Sequence, residues 1–94
     1  MDNPRVLHIR ETARRQFTED EYYVGRGSQF GNPFVIGQHG TRQEVIEKFR
    51  KYFYSSGTLM DAARKELRGK DLVCFCAPES CHADILLEFA NRRN

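Results

Sequence analysis

The fold is decided by the stretch Asp71-Leu72-Val73-Cys74-Phe75-Cys76-Ala77, which is apolar almost without interruption and is ended by Pro78. Strands that are exposed on one face alternate polar and apolar residues, whereas a run of this kind is typical of a central strand buried on both faces. Such a strand requires helices that cover the sheet. The stretch therefore predicts an α/β domain with a short, largely parallel sheet.

Three segments have the sequence pattern of helices. Thr41-Arg42-Gln43-Glu44 has the form of a capping box, and the apolar residues that follow recur on one helical face. Residues 59–68 are predicted to form a second helix, and Gly69 suits the left-handed position after its end. The last helix is predicted to run from Cys81 to about residue 91, with Ser80 as its N-cap.

Two shorter segments are predicted to be strands beside the central one. The first is Arg5-Val6-Leu7-His8-Ile9-Arg10, whose apolar residues lie between charged ends, and the second is Tyr22-Tyr23-Val24. Phe34-Val35-Ile36 is predicted to be either a further short strand or a segment anchored in the core. Because 94 residues supply only one core, residues 1–94 are expected to form a single small α/β domain with a short, largely parallel sheet covered by about three helices.

The charge balance does not single out a polyanionic partner. Fifteen Lys and Arg residues oppose thirteen Asp and Glu residues, and the formal net charge of +2 is too small to predict nucleic-acid binding. A group of arginines in the N-terminal third leaves binding of DNA or RNA as a less favoured possibility. They are Arg5, Arg10, Arg14, Arg15 and Arg26.

The sequence also bears on where the protein resides. No apolar run approaches the length of a membrane span, and the first residues are not followed by the apolar core of a signal peptide. Three cysteines within eight positions make a poor disulfide framework. We therefore expect a cytoplasmic protein with reduced thiols and no membrane partner, whose oligomeric state the sequence leaves open.

The segment Gly25-Arg26-Gly27-Ser28-Gln29-Phe30-Gly31-Asn32-Pro33-Phe34 holds three of the seven glycines. Glycine lets backbone amides approach an anion, and Arg26 and Ser28 add side-chain donors. The segment matches neither a Walker loop nor a Rossmann loop. It is predicted to bind a nucleotide or a related phosphorylated small molecule, or else to be a tight turn anchored by its two phenylalanines. The predicted binding residues are Gly25, Arg26, Gly27, Ser28, Gly31, Asn32 and Pro33.

Cys81 and His82 open the last predicted helix, where unpaired amides and the helix dipole favour negative charge. This position favours the thiolate of Cys81, and an imidazolium at His82 would favour it further. Cys81 and His82 are therefore candidate catalytic residues. The alternative is that Cys81 is a small buried residue and that His82 donates a hydrogen bond to a ligand.

The three cysteines and His82 also form a Cys-x-Cys-x4-Cys-His pattern. Cys74 and Cys76 are predicted to project from one face of the strand, and four ligands of this kind suit zinc. Structural zinc sites, however, use cysteine pairs on turns, whereas here two thiols lie in an apolar strand. We therefore expect no metal or other cofactor, with a zinc-stabilised interaction module formed by Cys74, Cys76, Cys81 and His82 as the alternative.

The two candidate segments are predicted to meet in space. Ligands of open α/β sheets bind at the carboxyl ends of the strands. The glycine-rich segment follows one predicted strand and the Cys81-His82 pair follows another. If these strands are parallel, Arg26 and His82 lie on the same side of the molecule around a shared site, where a ligand is either bound or turned over.

These segments resemble the family catalogued as domain of unknown function 4326, which occurs in bacteria and their phages. The matching stretches are residues 23–37, 40–46, 67–72, 74–78 and 81–84. The chain departs from the family pattern at Phe75, where Trp is common, and at Ala83, where Gly is common. The resemblance covers nearly the whole chain and implies the domain boundaries and the motif residues, but it names no reaction.

Overall fold

A sheet of three short parallel strands lies in the part of the chain that the computed structural model describes, residues 4–11, 18–74 and 81–92. The strands are β1 (Val6–His8), β2 (Glu21–Tyr23) and β3 (Asp71–Cys74), in the order β1-β3-β2. Leu72 of the central strand β3 is in register with Val6 on one side and with Tyr22 on the other. The predicted parallel sheet is confirmed.

Both faces of β3 are buried, as its continuous apolar run requires. Leu72 and Cys74 belong to the main core cluster. Val73 points to the opposite face, where it is buried beside Leu7 of β1. The strand ends at Cys74, and the rest of the predicted strand lies outside the described residues.

Three predictions about strands are corrected. Val24 was expected in the second strand, but β2 ends at Tyr23. Ile9 was expected in β1, but it begins a short 3₁₀ helix, Ile9–Glu11. His8 Nδ1 accepts a hydrogen bond from the Arg10 amide at 3.0 Å, and such a local side-chain bond competes with the ladder of the sheet. Phe34-Val35-Ile36 does not form a regular strand, and Ile36 makes an isolated bridge to Gly40 across a turn.

The described segments contain three helices. They are α1 (Arg42–Tyr54), α2 (Gly57–Glu66) and α3 (His82–Ala90). α1 begins with the predicted capping box, because the Glu44 amide donates to Thr41 Oγ1 at 3.2 Å and the Thr41 amide donates to Glu44 Oε1 at 2.9 Å. α2 starts two residues earlier than predicted because the Ser56 hydroxyl caps it, accepting from the Leu59 amide at 3.2 Å. No helix in these segments is both long and apolar enough to cross a bilayer.

The N-cap of α3 is Cys81 and not the predicted Ser80, which lies outside the described residues. The Cys81 sulfur accepts a hydrogen bond from the Ala83 amide at 3.4 Å, and the Cys81 amide donates to Asp84 Oδ2 at 3.1 Å. Serine is a much commoner cap than cysteine, which is why the sequence favoured it. The acidic residue three positions after Cys81 was the better signal.

An aromatic cluster joins the helices. Phe49 and Phe53 of α1 stack with ring centroids 5.9 Å apart, and Phe53 meets Phe89 of α3 edge-on at 5.1 Å. α3 also packs on β1 and β3, while α2 packs on α1 and α3. This packing sets the first residues of α3 beside the carboxyl end of β3.

Candidate functional site

A cavity of about 250 Å³ opens at the carboxyl edge of the sheet. Its wall combines the loop after β2, the end of β3, the start of α3 and the start of α1. Arg26 and His82 both line it, as the parallel topology predicts. Its lining residues within the described segments are Gly25, Arg26, Asn32, Phe34, Val35, Ile36, Arg42, Val45, Ile46, Cys74, Cys81 and His82.

The seven predicted binding residues divide into two groups. Gly25, Arg26 and Asn32 are part of the cavity wall, together with the two candidate catalytic residues. The other four are not among the lining residues found in the described chain, although they belong to the same loop. They are Gly27, Ser28, Gly31 and Pro33.

Internal hydrogen bonds hold the glycine-rich loop, residues 25–34, in a compact form. The Gly25 carbonyl accepts from the Ser28 amide at 3.1 Å and from the Ser28 hydroxyl at 2.7 Å. Gly31 packs so closely that an added Cβ would lie 2.9 Å from the Gly25 carbonyl oxygen. Gly27 has a φ of +97°, which other residues rarely adopt. Gly27, Ser28 and Gly31 therefore shape the loop that carries Gly25 and Arg26.

Asn32 ties this loop to α1. Its Nδ2 donates to the Val45 carbonyl at 3.3 Å, and its Oδ1 accepts from the Phe34 amide at 2.9 Å. His39 holds the following turn, because its Nδ1 accepts from the Val35 amide at 2.8 Å. The apolar residues 34–36 are thereby fixed in the cavity wall by polar side chains on both sides.

His82 connects α3 with the end of β2. The side chain is buried, its Nε2 lies 2.7 Å from the Val24 carbonyl oxygen, and its ring meets Phe49 edge-on at 5.0 Å. Because a carbonyl oxygen can only accept, Nε2 carries the proton and donates it. This bond anchors the residue that immediately precedes the glycine-rich loop.

Burial lowers the pKa of His82 below its ordinary value, because the charged ring would lose its hydration. The Val24 carbonyl, the Asp84 carboxylate and the Phe30 backbone oppose this shift without reversing it. The lowered pKa favours the neutral ring. Burial thus disfavours the imidazolium at His82 that would favour the Cys81 thiolate further.

Cys74 and Cys81 lie side by side in the cavity wall. Their sulfur atoms are 3.3 Å apart, both residues are buried, and no disulfide joins them. Cys76, the third cysteine of the zinc pattern, lies outside the described residues. Within those residues, no group of three or more His, Cys, Asp or Glu side chains is arranged to hold a metal ion. The zinc alternative therefore stays a prediction.

Two backbone amides at the start of α3 already have hydrogen-bond partners within the helix's own cap. The Cys81 amide donates to Asp84, and the Ala83 amide donates to the Cys81 sulfur. A phosphate at this helix end would compete with both bonds and would approach the Asp84 carboxylate. Arg26 and Arg42, whose side chains are of the type that suits an anion, also line the cavity.

Several lining residues were not assigned to the ligand site from the sequence. Arg42 was read only as part of a capping box, Phe34-Val35-Ile36 as a strand or core anchor, and Val45-Ile46 as the inner face of a helix. A positional signal did exist for Arg42. Only one short turn separates α1 from the glycine-rich loop, so the first residue of this helix must lie near that loop.

The comparisons with known proteins agree with the resemblance seen in the sequence. The model of a family described as "Domain of unknown function (DUF4326)" matches residues 7–92.

The chain is 39% identical over 72 residues to an uncharacterised 12.4 kDa protein from the nrdA-td intergenic region of Enterobacteria phage T4, covering 73% of this chain and 66% of the relative. It is 30% identical over 86 residues to the uncharacterised protein R718 of Acanthamoeba polyphaga mimivirus, covering 81% of this chain and 65% of the relative. The chain thus spans just under two thirds of the length of each relative. No solved structure matches it.

Proposed function

We propose that this chain, which belongs to the DUF4326 family, binds a nucleotide or a related phosphorylated small molecule in the cavity at the carboxyl edge of its sheet. The observation that carries the proposal is the presence of two arginines, Arg26 and Arg42, among the lining residues of a cavity whose wall is otherwise largely apolar. A nucleotide has the same division, with a charged phosphate at one end and a flat base at the other.

The arginines suit the phosphate. A guanidinium group is planar and donates two parallel hydrogen bonds to the oxygens of a phosphate, which a lysine does not do. Arg26 is exposed and Arg42 is half-buried. Neither residue is fully buried, so the protein does not bear the cost of a fully buried charge at this site.

The apolar wall suits the base. Phe34, Val35 and Ile36 line the cavity from the segment after the loop, and Val45 and Ile46 line it from α1. Ile36 is 48% exposed, so it offers apolar surface to a ligand in the cavity. A flat group that covers Ile36 would remove this surface from water and stabilise the complex.

The volume of the cavity limits the size of the ligand. Cavities for drug-sized molecules typically measure about 300–1,000 Å³. At about 250 Å³, this cavity lies just below that range. A mononucleotide or a smaller phosphorylated compound therefore fits the proposal better than a dinucleotide or a polymer.

Binding is the basic activity that we propose. The Cys81 sulfur caps α3, and His82 donates its proton to Val24, so neither group is arranged as an acid–base pair. The assignment of Cys81 and His82 as catalytic residues stays a prediction. If a bound ligand is converted, Cys81→Ala should abolish its turnover and leave its affinity nearly unchanged; unchanged turnover would eliminate Cys81 as a nucleophile.

The proposal is tested by thermal unfolding of the full chain with a panel of nucleoside mono-, di- and triphosphates and with the matching nucleosides. A ligand present at 100 times its Kd stabilises the folded state by about 2.7 kcal/mol. For a domain of this size, that raises Tm by roughly 10–20 °C. We expect the largest shift with a mononucleotide and little shift with its nucleoside.

Two variants distinguish binding of the nucleotide in the cavity from a nonspecific attraction of its phosphate to any arginine of the protein. Arg26→Ala should weaken binding at least ~10-fold, because a charge-assisted hydrogen bond contributes about 1.5–3 kcal/mol. Arg50→Ala is the matched control, since Arg50 lies on α1, pairs with Glu47 at 3.1 Å and is not among the lining residues found in the described segments. No stabilisation across the panel, or equal losses in both variants, would refute the proposal.

A further inference from the structure

The paired thiols of Cys74 and Cys81 have no part in the proposed recognition of phosphate and base. Their sulfur atoms are 3.3 Å apart and both residues line the cavity, although little of either is exposed, 1% for Cys74 and 4% for Cys81. Cys74 ends β3 and Cys81 caps α3. Two neighbouring thiols thus lie in the cavity wall, where the end of a strand meets the start of a helix.

We propose that Cys74 and Cys81 are a site of reversible oxidation, where hydrogen peroxide or a small-molecule disulfide converts the two thiols into one disulfide. A disulfide requires its sulfur atoms to be about 2.05 Å apart. From 3.3 Å, the sulfur atoms must approach by little more than 1 Å in total. Rotation of the two side chains supplies movement on this scale, because sulfur is only one bond from Cβ.

One feature of the environment of Cys81, its position at the start of α3, favours the reaction. The thiolate is the reactive form of cysteine, and the amide end of a helix stabilises it. The Cys81 sulfur accepts a hydrogen bond from the Ala83 amide at 3.4 Å, so a backbone donor already points at it. The cavity gives a small oxidant a path to a residue that the outer surface hides.

With peroxide, the reaction proceeds in two balanced steps. The Cys81 thiolate attacks one peroxide oxygen and forms a sulfenic acid, and the second oxygen leaves as hydroxide, which takes up the proton that the thiol lost and becomes water. The Cys74 thiol then attacks the sulfenic sulfur, and the hydroxyl group leaves with the thiol proton as a second water. Two thiols are oxidised, one peroxide is reduced, and a dithiol reductant reverses the change.

The experiment uses Cys76→Ser protein, which retains only Cys74 and Cys81. The folded protein is treated with peroxide, unfolded in the presence of iodoacetamide and weighed intact by mass spectrometry. We expect a monomer lighter by two hydrogen atoms that carries no alkyl group, and recovery of two alkylation sites after dithiothreitol. Two alkylated thiols in peroxide-treated folded protein would overturn the proposal.

Two further measurements establish which cysteines form the bond. Adding Cys74→Ser leaves a single thiol, so the mass loss of two hydrogens must disappear. In wild-type protein, fragment mapping by tandem mass spectrometry must assign the bond to Cys74 and Cys81, and a bond to Cys76 would count against the pairing. The second measurement also serves if Cys76→Ser does not fold. Neither measurement depends on a ligand, so its failure is separate from a failure of nucleotide binding.

Discussion

Replacing His82 with leucine tests the connection between α3 and the glycine-rich loop. The imidazole is buried, and its Nε2 donates to the Val24 carbonyl at 2.7 Å. Leucine is similar in volume and apolar, so His82→Leu removes the donor while it keeps most of the packing against Phe49. Val24 is itself completely buried, and its carbonyl loses this partner.

The expected loss of stability in His82→Leu follows from the unpaired Val24 carbonyl. A buried acceptor that loses its donor costs about 1–3 kcal/mol of the free energy of unfolding. Because 1 kcal/mol shifts Tm by roughly 4–8 °C in a domain of this size, we expect a decrease of about 4–24 °C at pH 8. His82→Gln, which keeps an amide donor on a side chain of similar reach, should restore part of the loss.

The pH dependence gives a second readout of the same side chain. Burial lowers the pKa of His82 in the folded state below the ordinary 6.5, so below pH 6.5 the unfolded chain takes up a proton that the folded protein does not. The folded state therefore loses stability as the pH falls through this window, by at most about 1.4 kcal/mol per pH unit. His82→Leu lacks this loss, and its deficit relative to wild type should shrink between pH 7.5 and 5.

Urea denaturation followed by circular dichroism measures both effects. Measurements at several pH values give the free energy of unfolding of wild type and variant under identical conditions. Comparing the two proteins cancels the titration of the other histidines, which both contain. A His82→Leu protein as stable as wild type at pH 8, or a difference that does not change with pH, would refute the role assigned to the Val24 bond.

Three further substitutions test the loop, the helix start and the core by thermal or urea unfolding. Gly31→Ala should destabilise by about 1–3 kcal/mol because its Cβ meets the Gly25 carbonyl oxygen at 2.9 Å, whereas Gly57→Ala, with open space around it, should be neutral or stabilising; equal effects would contradict the packing of the loop. Thr41→Ala should cost about 1 kcal/mol through loss of the α1 cap, and an unchanged midpoint would show that the cap contributes nothing. Phe53→Ala should cost about 3–5 kcal/mol, since its fully buried ring touches Phe49 and Phe89; a loss below 1 kcal/mol would place it outside the core.

The elements could be predicted because their signals are local in sequence. The apolar run of β3 identified the central strand, and Thr41 with Glu44 located the start of α1 to the residue. The errors were also local: His8 turns the chain before Ile9 can extend β1, and a cysteine caps α3 where a serine was expected. In both places, one side chain makes a hydrogen bond that residue preferences do not reveal.

The candidate site was predictable only in outline. Parallel strands bring their carboxyl ends to one edge, which was enough to expect Arg26 and His82 around the same hollow. The residues that complete its wall, such as Arg42 and Ile36, had been assigned to local structure, because a helix start and an apolar run have the same pattern whether or not they border a cavity.

By itself, the sequence determined the parallel α/β architecture and the family, because strand burial and helix caps depend on neighbours along the chain. Only the tertiary structure decided that His82 bonds to Val24, 58 positions away, and that Cys74 and Cys81 touch. These relations depend on how helices settle on the sheet to within about 1 Å. Tertiary packing determines the distances between these side chains, and no local sequence pattern predicts them.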